Sequence, residues 1–300
     1  MPPILTLTTD FGQADGYVGT MKGVILARAP QAQLVDLSHE IAPGDIAAGA
    51  FVLYQSSPYF PAGTVHLAVV DPGVGTARRP LLLQTAQGFF VGPDNGLFGY
   101  VLIEAVAKAA SWRGVPESVP ASFHPDFSLQ ETLFSASSGN LPKAYHLDNP
   151  AYWLAGPSAT FHGRDIFAPV AAHLALGIAP HNFGTSLALD SLNLLPTPAP
   201  TRAPGTLQGR VIACDRFGNV ISNIAAGLVE ALGAMNRIQI QIGAHSLSGV
   251  QQTYGTAASG EVLALINSAG LLEVAIRDGN AAQALGVSVG EKVICQMGDS

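Results

Sequence analysis

Charge is scarce in this chain. Asp, Glu, Lys and Arg make up 12% of its 300 residues, against 48% that are hydrophobic; the usual charged share is about 25%. Intrinsic disorder needs the reverse balance, so a globular chain is expected, long enough for two domains of ~100–200 residues. Basic clusters are lacking as well. Residues 1–195 hold 8 Lys and Arg against 14 Asp and Glu, and residues 196–300 hold 6 against 7. Without a basic stripe, neither nucleic acid nor an anionic membrane is an expected partner. The two cysteines, Cys214 and Cys295, make no disulfide framework and no CxxC pair, so a reduced cytoplasm is the expected compartment. Ile166–Leu189 lacks charge but is broken by Pro169, His173, Pro180, His181 and Asn182, and does not read as membrane-spanning. Met1-Pro2-Pro3 enters a strand-like run without the basic start and apolar segment of a signal peptide. A surface so poor in charge is expected to be covered in part by another subunit.

What is present is alternation. Strands are predicted at Ile4–Thr9, Gln33–Leu37 and Thr64–Val70, with short ones near Leu81–Thr85 and Phe89–Val91. Helices are predicted at Tyr17–Ala29, Asp45–Ser56 and Arg164–Leu176. That order predicts an α/β domain over 1–195 with a mostly parallel central sheet. Residues 114–142, rich in Ser, Pro and Gly without a period, read as a surface insertion. Pro196 to Gly205 carries four prolines in ten residues and reads as a semi-rigid linker. Beyond it, 206–300 shows short β-like runs and one helical stretch, Ala225–Leu232, which predicts a smaller C-terminal β-barrel-like domain.

Ligands of open parallel sheets bind beyond the carboxyl ends of the strands. Two predicted strands end in aspartate there, at Thr9-Asp10-Phe11-Gly12 and Asp71-Pro72-Gly73-Val74-Gly75. Alone, either Asp is an ordinary cap or turn residue; two at equivalent strand ends point to a shared cleft. The glycines let a ligand approach the backbone, yet they lack dinucleotide-loop spacing and the Lys of a P-loop. Three more clusters follow: Pro93-Asp94-Asn95-Gly96, Phe161-His162-Gly163-Arg164-Asp165 and Asp215-Arg216-Phe217-Gly218-Asn219. Each by itself reads as a turn or a helix end.

Together with Tyr17-Val18, Met21-Lys22-Gly23, Asp36-Leu37-Ser38-His39 and Asn267-Ser268, these motifs resemble, in order, the S-adenosylmethionine hydrolases (SAM hydroxide adenosyltransferases). Fluorinases and chlorinases are their relatives. The resemblance covers nearly the whole chain except 114–142. It implies attack on the ribose C5′ of S-adenosylmethionine with methionine leaving, and no cofactor or metal, because the sulfonium is already a good leaving group. It also implies a catalytic set of Asp71, Arg78 and His162. A carboxylate beside a guanidinium stays ionised, and the pair is placed to orient His162 or the water. Arg79, next to Arg78, is the competing partner, although the motif spacing favours Arg78. Which group takes the proton does not follow from the sequence.

The same resemblance assigns Asp10 to the ribose hydroxyls and Asp215 to the methionine ammonium. It gives Ser268 the carboxylate end and Phe217 and Asn219 the adenine, and Asn95 joins the substrate-binding set. Fluorinase has an aromatic where Asp71 stands and a serine where Gly163 stands, so hydrolysis is favoured over halogenation, the adenosyl halide synthase being the close alternative. Gly44 replaces a ribose-packing tryptophan and Ala269 an arginine near the methionine carboxylate. His39 receives only a structural role. Two rivals remain: a metal-dependent hydrolase using Asp10, Asp71, His66 and His162, for which no ligand spacing is present, and a non-catalytic adenosine or S-adenosylmethionine binding module. The resemblance further implies a homotrimer with active sites at subunit interfaces.

Overall fold

The computed structural model describes residues 2–114, 116, 118–136, 141–195 and 199–298. The chain divides into two compact units. The first runs to Trp112 and resumes at Leu129. The second combines Arg113–Ser128 with Thr197–Ser300. The insertion expected at 114–142 within the first domain therefore splits between the two.

Seven strands form the sheet of the first unit: β1 (Ile4–Thr9), β2 (Gln33–Ser38), β3 (Thr64–Val69), β4 (Pro80–Gln84), β5 (Gly88–Pro93), β6 (Lys143–His146) and β7 (Ser186–Leu187). Their order is β2-β1-β3-β5-β4-β6-β7. The pairings β2·β1, β1·β3 and β3·β5 are parallel, and those from β5 outward are antiparallel. The mostly parallel sheet read from the strand–helix alternation is thus parallel through its first four strands. Every residue of β3 is buried, as expected of a strand covered on both faces.

Helices α1 (Tyr17–Leu26), α2 (Ile46–Ser56), α3 (Gly99–Ala109), α4 (Leu129–Ser135) and α5 (Ala168–Ala175) accompany the sheet. Val18, Met21 and Ile25 of α1 are its buried stripe, spaced three and four apart. Met21 and Ile25 share a core cluster with Leu5, Leu7, Val65 and Leu67 and with Ile166, Phe167, Val170 and Ala171. A second cluster, built on Ala68, Val70, Leu81, Leu83 and Phe90, takes Leu102 and Val106 of α3. The alternation signal had passed over α3.

The second unit holds a nine-stranded sheet: β8 (Thr201–Ala203), β9 (Thr206–Cys214), β10 (Val220–Ala225), β11 (Ile238–Ile242), β12 (His245–Ser248), β13 (Val250–Gln251), β14 (Val262–Ile266), β15 (Leu271–Ile276) and β16 (Lys292–Met297). Its path is β12-β11-β16-β9-β10-β15-β14-β13, with β8 beside β9. The two ends of that path, β12 and β13, are separated in sequence by Gly249 alone. A sheet whose edges are neighbours in the chain must curl back on itself, which gives the barrel-like form expected. Gly249 makes this join at φ +79°, a left-handed conformation that a Cβ disfavours. Part of the expected linker is strand as well: Thr201–Ala203 pairs antiparallel with β9, while 196–198 lie outside the described residues. Within Arg113–Ser128, Val119, Ala121 and Phe123 are buried, and a Cβ on Gly227 would overlap Ser118 Oγ.

Candidate active site

All four parallel strands deliver a motif at their carboxyl ends. His39 follows β2, Asp10 follows β1, Asp71 lies two residues past β3, and Asp94-Asn95 follow β5. The chain leaves β1 for β2 on one side and returns to β3 on the other, so the switch point, where such sheets bind ligands, lies between β1 and β3. Asp10 and Asp71 stand at its two rims.

Asp71, Arg78 and His162 come together. The turn from Asp71 to Thr76 is closed by Val74 N–H to Asp71 O (3.2 Å) and Thr76 N–H to Gly73 O (3.1 Å), which brings Arg78 back onto Asp71. Arg78 Nε donates to both Asp71 oxygens, at 3.0 and 2.9 Å, and Nη2 donates to Oδ2 as well. Nη2 also donates to His162 Nδ1 at 2.9 Å. The pair is nearly inaccessible, with side chains 8% and 4% exposed. The guanidinium lies over the Phe167 ring, 5.3 Å from its centroid. Its Nη1 is buried without a hydrogen-bond partner among the described residues. Arg79 points elsewhere: its Nε donates to buried Asp94 at 2.8 Å and its Nη2 to Ser191 O at 2.5 Å. The competition between the adjacent arginines therefore falls to Arg78.

Because a guanidinium only donates, His162 must accept through Nδ1, which places the proton of a neutral ring on Nε2. Burial, followed by the Arg78 charge, pushes the His162 pKa below its ordinary value, although Asp71 and Asp165 pull it up. His162 opens a π-helical turn, Gly163–Phe167, that runs into α5; such single turns recur at functional sites. Asp165, 2% exposed, pins the turn by accepting from Arg164 Nε (2.6 Å) and Ser158 N–H (2.8 Å). Gly75 admits the segment before His162, since a Cβ there would lie 2.6 Å from Ala159 O. Phe11, Tyr17 and Phe161 form a partly exposed aromatic trio with centroids 5.2–6.0 Å apart, a feature that the sequence reading had not singled out.

Asp10 Oδ2 accepts from Gly44 N–H at 2.7 Å, so the glycine standing where fluorinase has tryptophan anchors the carboxylate through its backbone. Gly44 is also against Pro72: its Cβ would lie 3.6 Å from the ring. Asn95 uses both ends of its amide on the backbone, donating to Val70 O (2.9 Å) and accepting from Leu97 N–H (3.2 Å). It secures the residue before Asp71. His66 is not with these groups. It is buried within β3, bonded to Thr6 Oγ1 at 2.8 Å and stacked on Phe90. Among the described residues no three His, Cys, Asp or Glu side chains gather as a metal would require.

In the second unit Asp215, Phe217 and Asn219 share the loop between β9 and β10. Asp215 Oδ1 accepts from the Phe217 and Asn219 amides, and Oδ2 from Asn219 Nδ2, each at 2.9 Å. Phe217 is held outward, 77% exposed. Ser268 sits in the turn from β14 to β15, where Asn267 Oδ1 accepts from Ala269 and Leu271 N–H at 3.0 and 3.1 Å. Buried Glu273, on β15, accepts from Tyr254 Oη at 2.6 Å. Its pKa is pushed up, by burial first and by the Asp215 charge as well.

Comparison with known proteins places both units. Residues 5–133 and 125–184 match the family described as the SAM hydroxide adenosyltransferase N-terminal domain, and residues 209–294 match the corresponding C-terminal domain. The chain is 38% identical over 291 residues to an (R)-S-adenosyl-L-methionine hydrolase from Salinispora arenicola, covering 97% of each protein. It is 37% identical over 293 residues to one from Thermus thermophilus, covering 98% of this chain and 99% of the other. The crystal structure of a conserved protein from Thermotoga maritima superposes with a TM-score of 0.79 at 32% identity, over 98% of this chain and 99% of that one.

Proposed function

The chain belongs to the SAM hydroxide adenosyltransferase family, and from that premise we propose that it hydrolyses S-adenosyl-L-methionine to adenosine and L-methionine. One observation carries the reading furthest: Asp71, Arg78 and His162 form one hydrogen-bonded set beside the switch point of the sheet. Water attacks the ribose C5′ in line with the sulfonium, from about 3–3.5 Å. As the new C–O bond forms, the C5′–S bond breaks, and sulfur keeps the electron pair and becomes a neutral thioether. The water loses one proton.

The tautomer bears on where that proton goes. His162 Nδ1 is already accepting from Arg78 and Asp71 Oδ2 accepts from both Nε and Nη2, whereas Asp71 Oδ1 accepts once and retains a lone pair. We assign Asp71 as the acceptor, Arg78 as the group that fixes it and offers Nη1 to the water, and His162 as the support of the guanidinium. Asp10 takes the ribose hydroxyls with the oxygen lone pairs that Gly44 leaves free. Phe217 and Asn219 take the adenine, and Asp215 and Ser268 the methionine end. Asn95 contributes by holding the Val70 carbonyl beside Asp71. Halide chemistry is disfavoured because the Asp71 carboxylate repels an anion and Gly163 has no hydroxyl to hold one. A Cβ at Gly163 would also crowd Met21 Sδ at 3.2 Å.

Neither metal nor cofactor takes part in this reaction, and full turnover in the presence of a chelator is expected. A homotrimer in which subunits complete one another's sites, and a cytoplasmic setting, belong to the same proposal. No helix among the described residues is long and apolar enough to cross a membrane. The test is incubation with substrate in ¹⁸O-water, with and without chloride, each sulfonium epimer offered separately because the relatives' names specify the (R) form. Label at the adenosine 5′-oxygen is expected. Unchanged substrate, which a binding module would leave, or 5′-chloro-5′-deoxyadenosine would overturn the reading.

A further inference from the structure

We propose that His39 is a positioning residue for ribose recognition, acting through the turn that carries Asp10; this rests on the reading of Asp10 as the ribose ligand. The His39 side chain is fully buried; its Nδ1 is hydrogen-bonded, whereas its Nε2 faces a carboxylate without an aligned hydrogen bond among the described residues. Nδ1 lies 2.8 Å from Thr9 Oγ1, at the last residue of β1, and Nε2 lies 3.0 Å from Asp36 Oδ1, on β2. Asp36 in turn meets Lys22 Nζ of α1 at 2.6 Å. Partial burial pushes the Asp36 carboxyl up, but Lys22 and His39 outweigh it and hold it below the usual carboxylate range.

The Thr9 hydroxyl joins the buried ring to the turn. Phe11 N–H donates to Thr9 Oγ1 at 3.3 Å, and the same hydroxyl is hydrogen-bonded to His39 Nδ1. The backbone closes the same turn from the other side, where Gly12 N–H donates to His39 O at 2.8 Å. His39 thus grips Thr9 with its ring and Gly12 with its carbonyl, and Asp10 lies between them. Among the described residues, only Gly44 N–H holds the Asp10 carboxylate directly. A bidentate grip on two ribose hydroxyls needs the carboxylate held within a few tenths of an ångström, and the turn is what supplies that.

The test compares binding of adenosine and 2′,3′-dideoxyadenosine, which lacks the hydroxyls, by calorimetry on the full chain, alongside steady-state kinetics. The unaltered protein is expected to prefer adenosine. His39→Leu is expected to lose about tenfold in adenosine affinity, the worth of one to two positioned hydrogen bonds. Its KM rises by a similar factor, its dideoxyadenosine affinity stays within about twofold, and its kcat stays within about threefold. His39→Asn, which keeps an amide near the Nδ1 position, is expected to recover most of the loss. Should His39→Leu fold poorly, Thr9→Val removes the same bond at nearly constant volume and carries the same expectation. Equal weakening of both ligands, or a fall in kcat with KM unchanged, would overturn the positioning role. A protein that does not discriminate the two ligands before mutation would instead remove the assignment of Asp10, and the proposal with it.

Discussion

At the scale of single residues, the outcome turns on which hydrogen-bonding capacity is already spent. Arg78 and Arg79 are adjacent and chemically identical, yet one closes on Asp71 and the other on Asp94. Motif spacing had favoured Arg78 without excluding Arg79. The structure separates them because β4 begins at Pro80, and side chains on neighbouring residues at a strand start point opposite ways. Removing the Asp71 charge therefore has a specific consequence. Asp71→Asn keeps the shape but forfeits the acceptor and the match to Arg78. It is expected to lower kcat by at least a hundredfold, within the usual range for a general base, while the affinity for substrate changes less than about fivefold. Equal losses in both would make Asp71 a binding group instead. Several roles at this scale were not legible in the sequence. The Gly44 amide under Asp10 has no sequence signature, since every residue but proline carries an N–H. The occupied amide of Asn95 likewise follows only from the position of Val70.

At the scale of elements, β1, β3 and β5 share a buried histidine. His66 lies opposite Thr6 in register, bonded to it and stacked on Phe90. Burial pushes its pKa down from 6.5 to about 4. In the unfolded chain the ring protonates near 6.5, whereas in the folded sheet it stays neutral until about pH 4. The unfolded state therefore binds the extra proton first, and stability falls as pH drops through that window. Two to three pKa units correspond to about 3 kcal/mol. His66→Gln, which keeps a partner for Thr6 and does not titrate, is expected to lose much less stability between pH 7 and pH 4.5. Urea unfolding at the two pH values measures this, and an identical pH dependence in both proteins would sink the account.

The parallel strands were the most legible elements, because strand and helix periods alternate plainly from Ile4 to Val69. Helix α3 was missed because it follows the Asn95-Gly96 turn signal directly and its apolar residues read equally well as strand. In the second half, β10 was passed over where it follows directly on what looked like a polar turn. Its buried Ser222 and Asn223 break the apolar alternation and are readable only once Leu272 O is seen to accept from Ser222 Oγ at 2.9 Å.

At the scale of the whole molecule, the low charge content is one of the observations behind the proposed trimer. Phe134 is 95% exposed and Tyr59 is 82% exposed in the isolated chain. A trimer of 30.9 kDa chains has a mass of about 93 kDa. Light scattering coupled to gel filtration is expected to find that mass, with turnover confined to it. A fully active species of 30.9 kDa would refute the trimeric reading.

The interleaving of the two units decides how the gene can be cut. Arg113–Ser128 belongs to the second unit, but the chain on either side of it belongs to the first. A fragment beginning at the Pro-rich segment would lack Val119, Ala121 and Phe123 and leave the face around Gly227 bare. The complementary fragment would carry those apolar side chains with nothing to bury them. The boundary that looks natural in the sequence is therefore a poor place to divide the protein. Recombination that exchanged its halves between relatives would have to carry the 113–128 segment along with the second.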